Sequence, residues 1–242
     1  MNALLLLFLA FAKPQAAPPA QSVIAAERAF AARAQSEGQW TAFRATAAPD
    51  AIMLAPDPIN AHQFLARFRS DPPVAVMWWP ARVWLSCDGS LAVTSGPWVR
   101  RGGTQIGSFT TVWKEQDDRS WRWVYDNGRE LPRAIDAPDE PATVSPYCRE
   151  QPRRLDPEGL EPRPLVQFEG RAPGEGADAL PAIPDAAPVA SGSSRDRSLR
   201  WDVVRLPDQG PHAYAFRLFV RTRNNEHLAL IEFHGLGARP SS

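Results

Sequence analysis

Apolar residues recur along this chain with two different periods. From Ser22 the period is helical: Val23, Ala26, Phe30 and Ala34 return at steps of three and four. Ser22 stands where an N-cap belongs and Gly38 closes the run. A second short helix is expected with Trp40, Phe43 and Ala47 on one stripe, ending before Pro49. Residues 51–55 read as a short strand and Pro56-Asp57-Pro58 as a turn. Asn60 then caps a third helix: Gln63 is placed to bond back to the cap, and Ile59 and Phe64 occupy the positions of a hydrophobic staple. Phe64, Leu65 and Phe68 form its buried face, and Asp71-Pro72-Pro73 stops it. After Val74 the period falls to two. Strands are expected over 74–87, 91–101, 104–116 and 120–127, joined by Asp88-Gly89, Gly102-Gly103 and Asp117-Asp118-Arg119. Helices first and an antiparallel meander after them predict an α+β domain over residues 22–131, its sheet wrapped around the helices.

The pattern changes on both sides of this domain. Residues 132–197 read as a linker, because twelve of the 25 prolines fall between 132 and 188 and disfavour helix and central strand alike. Alternation returns over 198–236 in three runs, Leu199 to Val203, Tyr214 to Val220 and His227 to Phe233, with turn residues between them. Three strands are too few to bury a core of their own, so this appendage is expected to pack on the first domain. No internal repeat is evident. At the other end, residues 4–12 are an unbroken apolar run, too short for a membrane-spanning helix and suited to a signal peptide. Small residues at Ala12 and Ala17 offer cleavage sites, although no Lys or Arg precedes Leu4. Residues 1–21 are therefore read as signal peptide and spacer. The mature protein is expected in the periplasm or outside the cell, with no membrane span.

Composition narrows the function classes. Lys plus Arg and Asp plus Glu are 27 each, so no basic excess exists to neutralise a nucleic acid backbone. Cys87 and Cys148 lack any zinc-ligand spacing, and nothing in the sequence calls for a metal or a cofactor. In an oxidising compartment the two cysteines can pair; the alternative is one buried and one loop thiol.

Three stretches carry a resemblance: Ile24-Ala25-Ala26-Glu27-Arg28-Ala29-Phe30-Ala31, Leu91-Ala92-Val93-Thr94-Ser95-Gly96-Pro97-Trp98, and the run from Gly107 to Asp126 with its Thr-Val-Trp strand and Trp-containing final strand. With the element order, these residues resemble the nuclear transport factor 2-like superfamily, in particular its SnoaL-like branch and domain of unknown function 4440. The resemblance covers a little under half the chain. It implies a cone with an apolar, open-mouthed cavity suited to a small molecule, and a homodimer through the outer face of the sheet. Because isomerases, dehydratases, cyclases, hydrolases and binding modules share this fold, it fixes architecture better than activity.

Alternation assigns the faces. Phe109, Thr111 and Trp113 share one face of their strand; Trp121, Trp123 and Tyr125 share one face of the next, opposite Arg122, Val124 and Asp126. The aromatic faces are expected to look inward, so Trp40, Phe64, Trp98, Phe109, Trp113, Trp123 and Tyr125 are the candidate ligand-binding residues. Asp126, where the last strand leaves the sheet, is the candidate general base, with Tyr125 or His62 as partner. Asp57 and Arg82 are further polar candidates, while His212, His227 and His234 are expected on the surface. No motif joins any two of these groups into a dyad. The expectation is therefore an exported protein that binds a small apolar or amphipathic molecule. The rivals are a SnoaL-like isomerase, dehydratase or cyclase, and an envelope module whose partner is a protein.

Overall fold

The computed structural model describes residues 19–148, 160–161, 163–168, 171 and 180–236. The signal peptide expected in the first residues lies outside this set.

Helix α1 (Pro19–Glu37) buries the stripe of Val23, Phe30 and Ala34. Helix α2 (Gln39–Thr46) follows after Gly38. Its first turn is capped from a distance: the Asp71 carboxylate accepts from the Trp40 and Thr41 backbone N–H groups and from the Thr41 hydroxyl. Strand β1 (Ala47–Leu54) begins where α2 was expected to continue, and β2 (Pro58–Asn60) pairs back on it. Helix α3 (Ala61–Leu65) is a five-residue piece whose Gln63 N–H reaches the Asn60 cap at 3.2 Å, as the capping signal predicts.

The expected strand over 74–87 is two short strands, β3 (Met77–Trp78) and β4 (Arg82–Leu85), separated by Pro80. Proline cannot donate to the ladder, so the chain breaks there while both pieces still pair with β5 (Leu91–Arg100). Strands β6 (Gln105–Glu115) and β7 (Trp121–Glu130) complete the meander, and β1 lies parallel to β7. With β8 (Ala142–Val144) beside β4, the first sheet runs β2-β1-β7-β6-β5-β4-β8 and curves over the helices.

Three short strands fall in the stretch read as a linker. Besides β8 these are β9 (Leu165–Phe168) and β10 (Ala190–Ser193). The last two join β11 (Leu199–Arg205), β12 (Tyr214–Arg221) and β13 (Glu226–His234), so the C-terminal sheet has five strands rather than three. Its order, β9-β13-β12-β11-β10, repeats the β1-β7-β6-β5-β4 order of the cone. The first pair is parallel and the others antiparallel in both sheets.

The repeat has a sequence signature that alternation alone does not show. Ser86-Cys87-Asp88-Gly89-Ser90-Leu91 and Ser194-Arg195-Asp196-Arg197-Ser198-Leu199 form equivalent hairpin turns between the first two strands of each meander. In each, the central Asp accepts from both flanking serines, and one residue takes a positive φ, Gly89 at 68° and Arg197 at 57°. The turns also bond each other reciprocally. The Arg195 N–H donates to Ser90 Oγ at 3.0 Å, and the Cys87 N–H donates to Ser198 Oγ at 2.8 Å. Such an exchange of equivalent contacts is the mark of a two-fold relation. The second sheet thus sits against the first as a partner built from the same chain, without helices.

This packing covers the outer face of the cone. Tyr125 stacks on Phe216 with ring centres 4.8 Å apart and lies 5.6 Å from Trp201. Arg129 pairs with Glu232 at 2.5 Å with both side chains buried, and Thr110 donates to the same carboxylate. The face through which a homodimer was expected is therefore occupied by the chain's own C-terminal sheet. His234 is a correction of the same kind: it is buried beside Asn127 and Glu232 rather than exposed. The far side of the second sheet holds a smaller core of Phe168, Val204, Ala215, Ile231 and Phe233, against which Ile183 and Leu236 pack. A Cys87–Cys148 disulfide with a Cα separation of 5.6 Å ties the hairpin of the cone to the segment after β8. Among the described residues no helix is long and apolar enough to cross a membrane.

Candidate functional site

The helices and the inner face of the sheet enclose an open-mouthed cavity of about 340 Å³. Its apolar walls are Trp40 and Phe43 from α2, Trp78 from β3, Trp98 from β5, Phe109 from β6, with Met53 and Val76 near the mouth. Trp98 lies flat across the sheet because Gly107 has no side chain: a Cβ there would meet the indole at 2.3 Å and the Arg129 carbonyl at 2.1 Å. The Trp98 Nε1–H donates to the Ser108 carbonyl at 3.0 Å, which fixes the ring as a wall. Trp40 stacks on Phe68 at 4.4 Å and forms the rim.

A buried carboxylate, Asp126, enters this cavity, and a β-bulge puts it there. Trp113 pairs with Trp123 and Val112 with Tyr125, so Val124 is the extra residue on β7. The bulge reverses the alternation downstream. Trp123 faces inward against Phe43, whereas Tyr125 faces outward to Phe216, and Asp126, Gly128 and Glu130 take the cavity side. Asp126 is nearly buried, and its Oδ2 accepts from the Thr111 hydroxyl at 2.7 Å. Burial raises its pKa from 3.8 to about 7; the Thr111 bond opposes the rise and the nearby Glu27 carboxylate adds to it.

Glu27 is the functional-looking residue that pattern reasoning passed over. It is completely buried on α1, and its carboxylate accepts from Trp78 Nε1 at 2.6 Å, Thr94 Oγ1 at 2.5 Å and Trp113 Nε1 at 2.8 Å. Burial raises its pKa, and the three hydrogen bonds hold that rise back. The signal was present in the sequence. Glu27 stands four residues after Val23 and three before Phe30, in the middle of an apolar stripe where a charge needs buried partners.

The other candidates are dispersed. Trp40, Trp98, Phe109 and Asp126 line the cavity. Trp113 and Trp123 are completely buried behind its floor, and Phe64 packs edge-on against Phe68. Tyr125 is on the opposite face, so it cannot share a substrate with Asp126. His62 is held by the Ala48 carbonyl at 3.1 Å, away from the lining. Asp57 accepts from His212 and from the Tyr214 hydroxyl, which ties the turn after β1 to the second sheet; these bonds, His212 first, lower its pKa. Arg82 lies over Trp84 on β4. At the mouth Arg100 and Glu130 pair at 3.3 Å, both half-exposed. Asp126 is thus the most buried of the three charged groups in the lining, and neither partner expected for a dyad reaches it.

No protein-family model and no curated protein matches the chain. Several solved structures are similar to it. One is a nuclear transport factor 2-like protein of unknown function from Shewanella oneidensis MR-1, 17% identical over 46% of this chain and 98% of that one, with a TM-score of 0.38. A protein of unknown function from the DUF3225 family of Pectobacterium atrosepticum is 17% identical over 48% and 92%, also with a TM-score of 0.38. A nuclear transport factor 2-like superfamily protein from Salmonella enterica is 15% identical over 50% and 96%, with a TM-score of 0.37. By its own element order, two helices, a strand, a capped short helix and a curved antiparallel meander closed by β1, the first domain has the nuclear transport factor 2-like cone fold.

Proposed function

We propose that the chain is an exported binding protein whose cone holds a small amphipathic molecule between aromatic walls and the buried Asp126 carboxylate. The observation that carries this reading is the cavity itself: about 340 Å³, open at one end and faced by five aromatic rings, with Asp126 as the buried charge in its lining. Export is supported by the apolar run at residues 4–12 and by the Cys87–Cys148 disulfide, which suits an oxidising compartment. The test is native mass spectrometry of protein purified from the cell envelope without detergent. A one-to-one adduct released by organic solvent supports the reading; protein that carries no adduct and also takes up no apolar probe contradicts it.

A second reading rests on Asp126. A carboxyl with a pKa of about 7 is poised to take and return a proton near neutrality, as a SnoaL-like isomerase or dehydratase requires. It needs a second polar group at the reacting atoms, and the residues offered for that role, Tyr125 and His62, stand elsewhere. Loss of turnover in Asp126→Asn with the fold intact, for any substrate identified from the adduct, would favour the enzyme over the binding protein.

A further inference from the structure

The lining of the cavity constrains the polar group that a ligand presents. Two of its tryptophan donors are already engaged: Trp78 Nε1–H on the Glu27 carboxylate and Trp98 Nε1–H on the Ser108 carbonyl. The guanidinium of Arg100 is engaged by Gln105 and Glu130 at the mouth. The Gln39 carbonyl oxygen accepts from the Val76 N–H. Asp126 differs from these groups. Its Oδ2 is held by Thr111, the one hydrogen bond to this carboxylate among the described residues, and among them no cation pairs with it. Besides the Gln39 amide and the Trp40 indole N–H, the cavity therefore offers an uncompensated carboxylate and a set of π faces. One wall already carries a cation: the Arg100 guanidinium lies 5.4 Å from the Trp98 ring centre. Aromatic faces attract cations through their quadrupoles, more strongly when the cation is removed from water.

We propose that the cavity takes a protonated amine or quaternary ammonium group on an apolar body, with the cationic head against Asp126 and the aromatic walls around it. This assignment rests on the reading of the cone as a small-molecule cavity and names the ligand class for that site. A cation supplies what the fold withholds from Asp126, an opposite charge beside a buried carboxylate.

Binding of such a ligand is linked to ionisation of Asp126. The charged and titratable groups around that carboxylate are Glu27 from α1, the adjacent Tyr125 on β7, and the Arg100–Glu130 pair contributed by β5 and β7. From β6 the neighbour is the neutral Thr111, and from α2 the neutral Gln39. The Arg100–Glu130 pair is half-exposed and internally compensated, and Glu27 is held by its three donors. The affinity for a cation accordingly rises with pH as Asp126 loses its proton, then levels off.

Three near-isosteric probes test the assignment: 3-phenylpropylamine, 3-phenylpropan-1-ol and 3-phenylpropanoate, titrated into the full chain and followed by tryptophan fluorescence and calorimetry. The amine is expected to bind about tenfold or more tightly than the alcohol near pH 8. The preference should shrink near pH 5.5 and vanish in Asp126→Asn, whose fold is checked by near-UV circular dichroism. Alcohol or carboxylate binding as tightly as the amine overturns the ammonium assignment and leaves the cavity reading standing. Amine selectivity that survives Asp126→Asn also overturns it, because Asp126 is then not the recognition group. Failure of all three at millimolar concentration overturns both readings.

Discussion

Trp123 and Tyr125 stand two residues apart on β7 and point to opposite sides of the sheet. The cause is the bulge at Val124, and its effect extends to Asp126, which it turns from the outer face into the cavity. A strand without the bulge would have placed Tyr125 in the cavity and Asp126 against the second sheet. The site thus depends on one extra residue in the ladder as much as on the identity of the side chains.

The raised pKa of Asp126 predicts a stability change of definite sign. A carboxyl that titrates at 3.8 when unfolded and at about 7 when folded contributes its full stability below pH about 4. That stability is lost as the pH rises towards 7. The span corresponds to about 4 kcal/mol at most. Asp126→Asn should therefore be more stable than the parent near pH 8, by up to that amount, and about equal to it near pH 4. Urea unfolding at the two pH values checks this; no gain near pH 8 would mean that Asp126 ionises without penalty.

The contact between the two sheets turns on a buried ion pair. Burial pushes the Glu232 carboxyl up, but Arg129, His234 and Thr110 outweigh it and hold the pKa at about 2, below its usual 4.5. The stabilisation is present above pH about 4.5 and lost as the pH falls through about 2. Arg129→Met leaves Glu232 buried without its counter-charge and should cost about 3–5 kcal/mol. The double variant Arg129→Met/Glu232→Leu should recover most of that loss. A single variant that unfolds like the parent in urea would show that the pair does not clamp the sheets.

The disulfide closes a long loop, with 61 positions separating Cys87 from Cys148. Cross-links of this span restrict the unfolded chain and stabilise by about 2–4 kcal/mol. Adding reductant, or the Cys87→Ser/Cys148→Ser variant, should lower the thermal midpoint while leaving the cavity and its fluorescence intact. Equal midpoints with and without reductant would contradict the expected contribution.

The parts of the fold that rest on local chemistry were legible in the sequence. The α1 stripe, the Asn60 cap and the turns at Asp88-Gly89 and Gly102-Gly103 each follow from residues within a few positions of one another. Features that depend on distant partners were not. Glu27 is held by residues 51, 67 and 86 positions away, and nothing adjacent to it announces them. The bulge at Val124 leaves no composition signal, because Trp, Val and Tyr suit either face of a strand. Pro80 did carry a signal, and it divides a strand that alternation alone would have kept whole. The pairing of the second sheet with the first was hidden by the prolines ahead of it, although the repeated Ser-x-Asp-x-Ser-Leu turn marks the equivalence.

A ligand cavity and a packed core differ in whether an apolar probe can enter the cone. N-phenyl-1-naphthylamine, a neutral probe that fluoresces when removed from water, is added to the parent protein and to Val76→Trp. Val76 lines the cavity and is only partly buried, so the larger ring should plug the opening without displacing the core. Saturable one-to-one enhancement is expected with the parent, weakened about tenfold or more in Val76→Trp at unchanged thermal stability. Equal enhancement in the two proteins, or none in the parent, would contradict the reading of the cone as a ligand cavity.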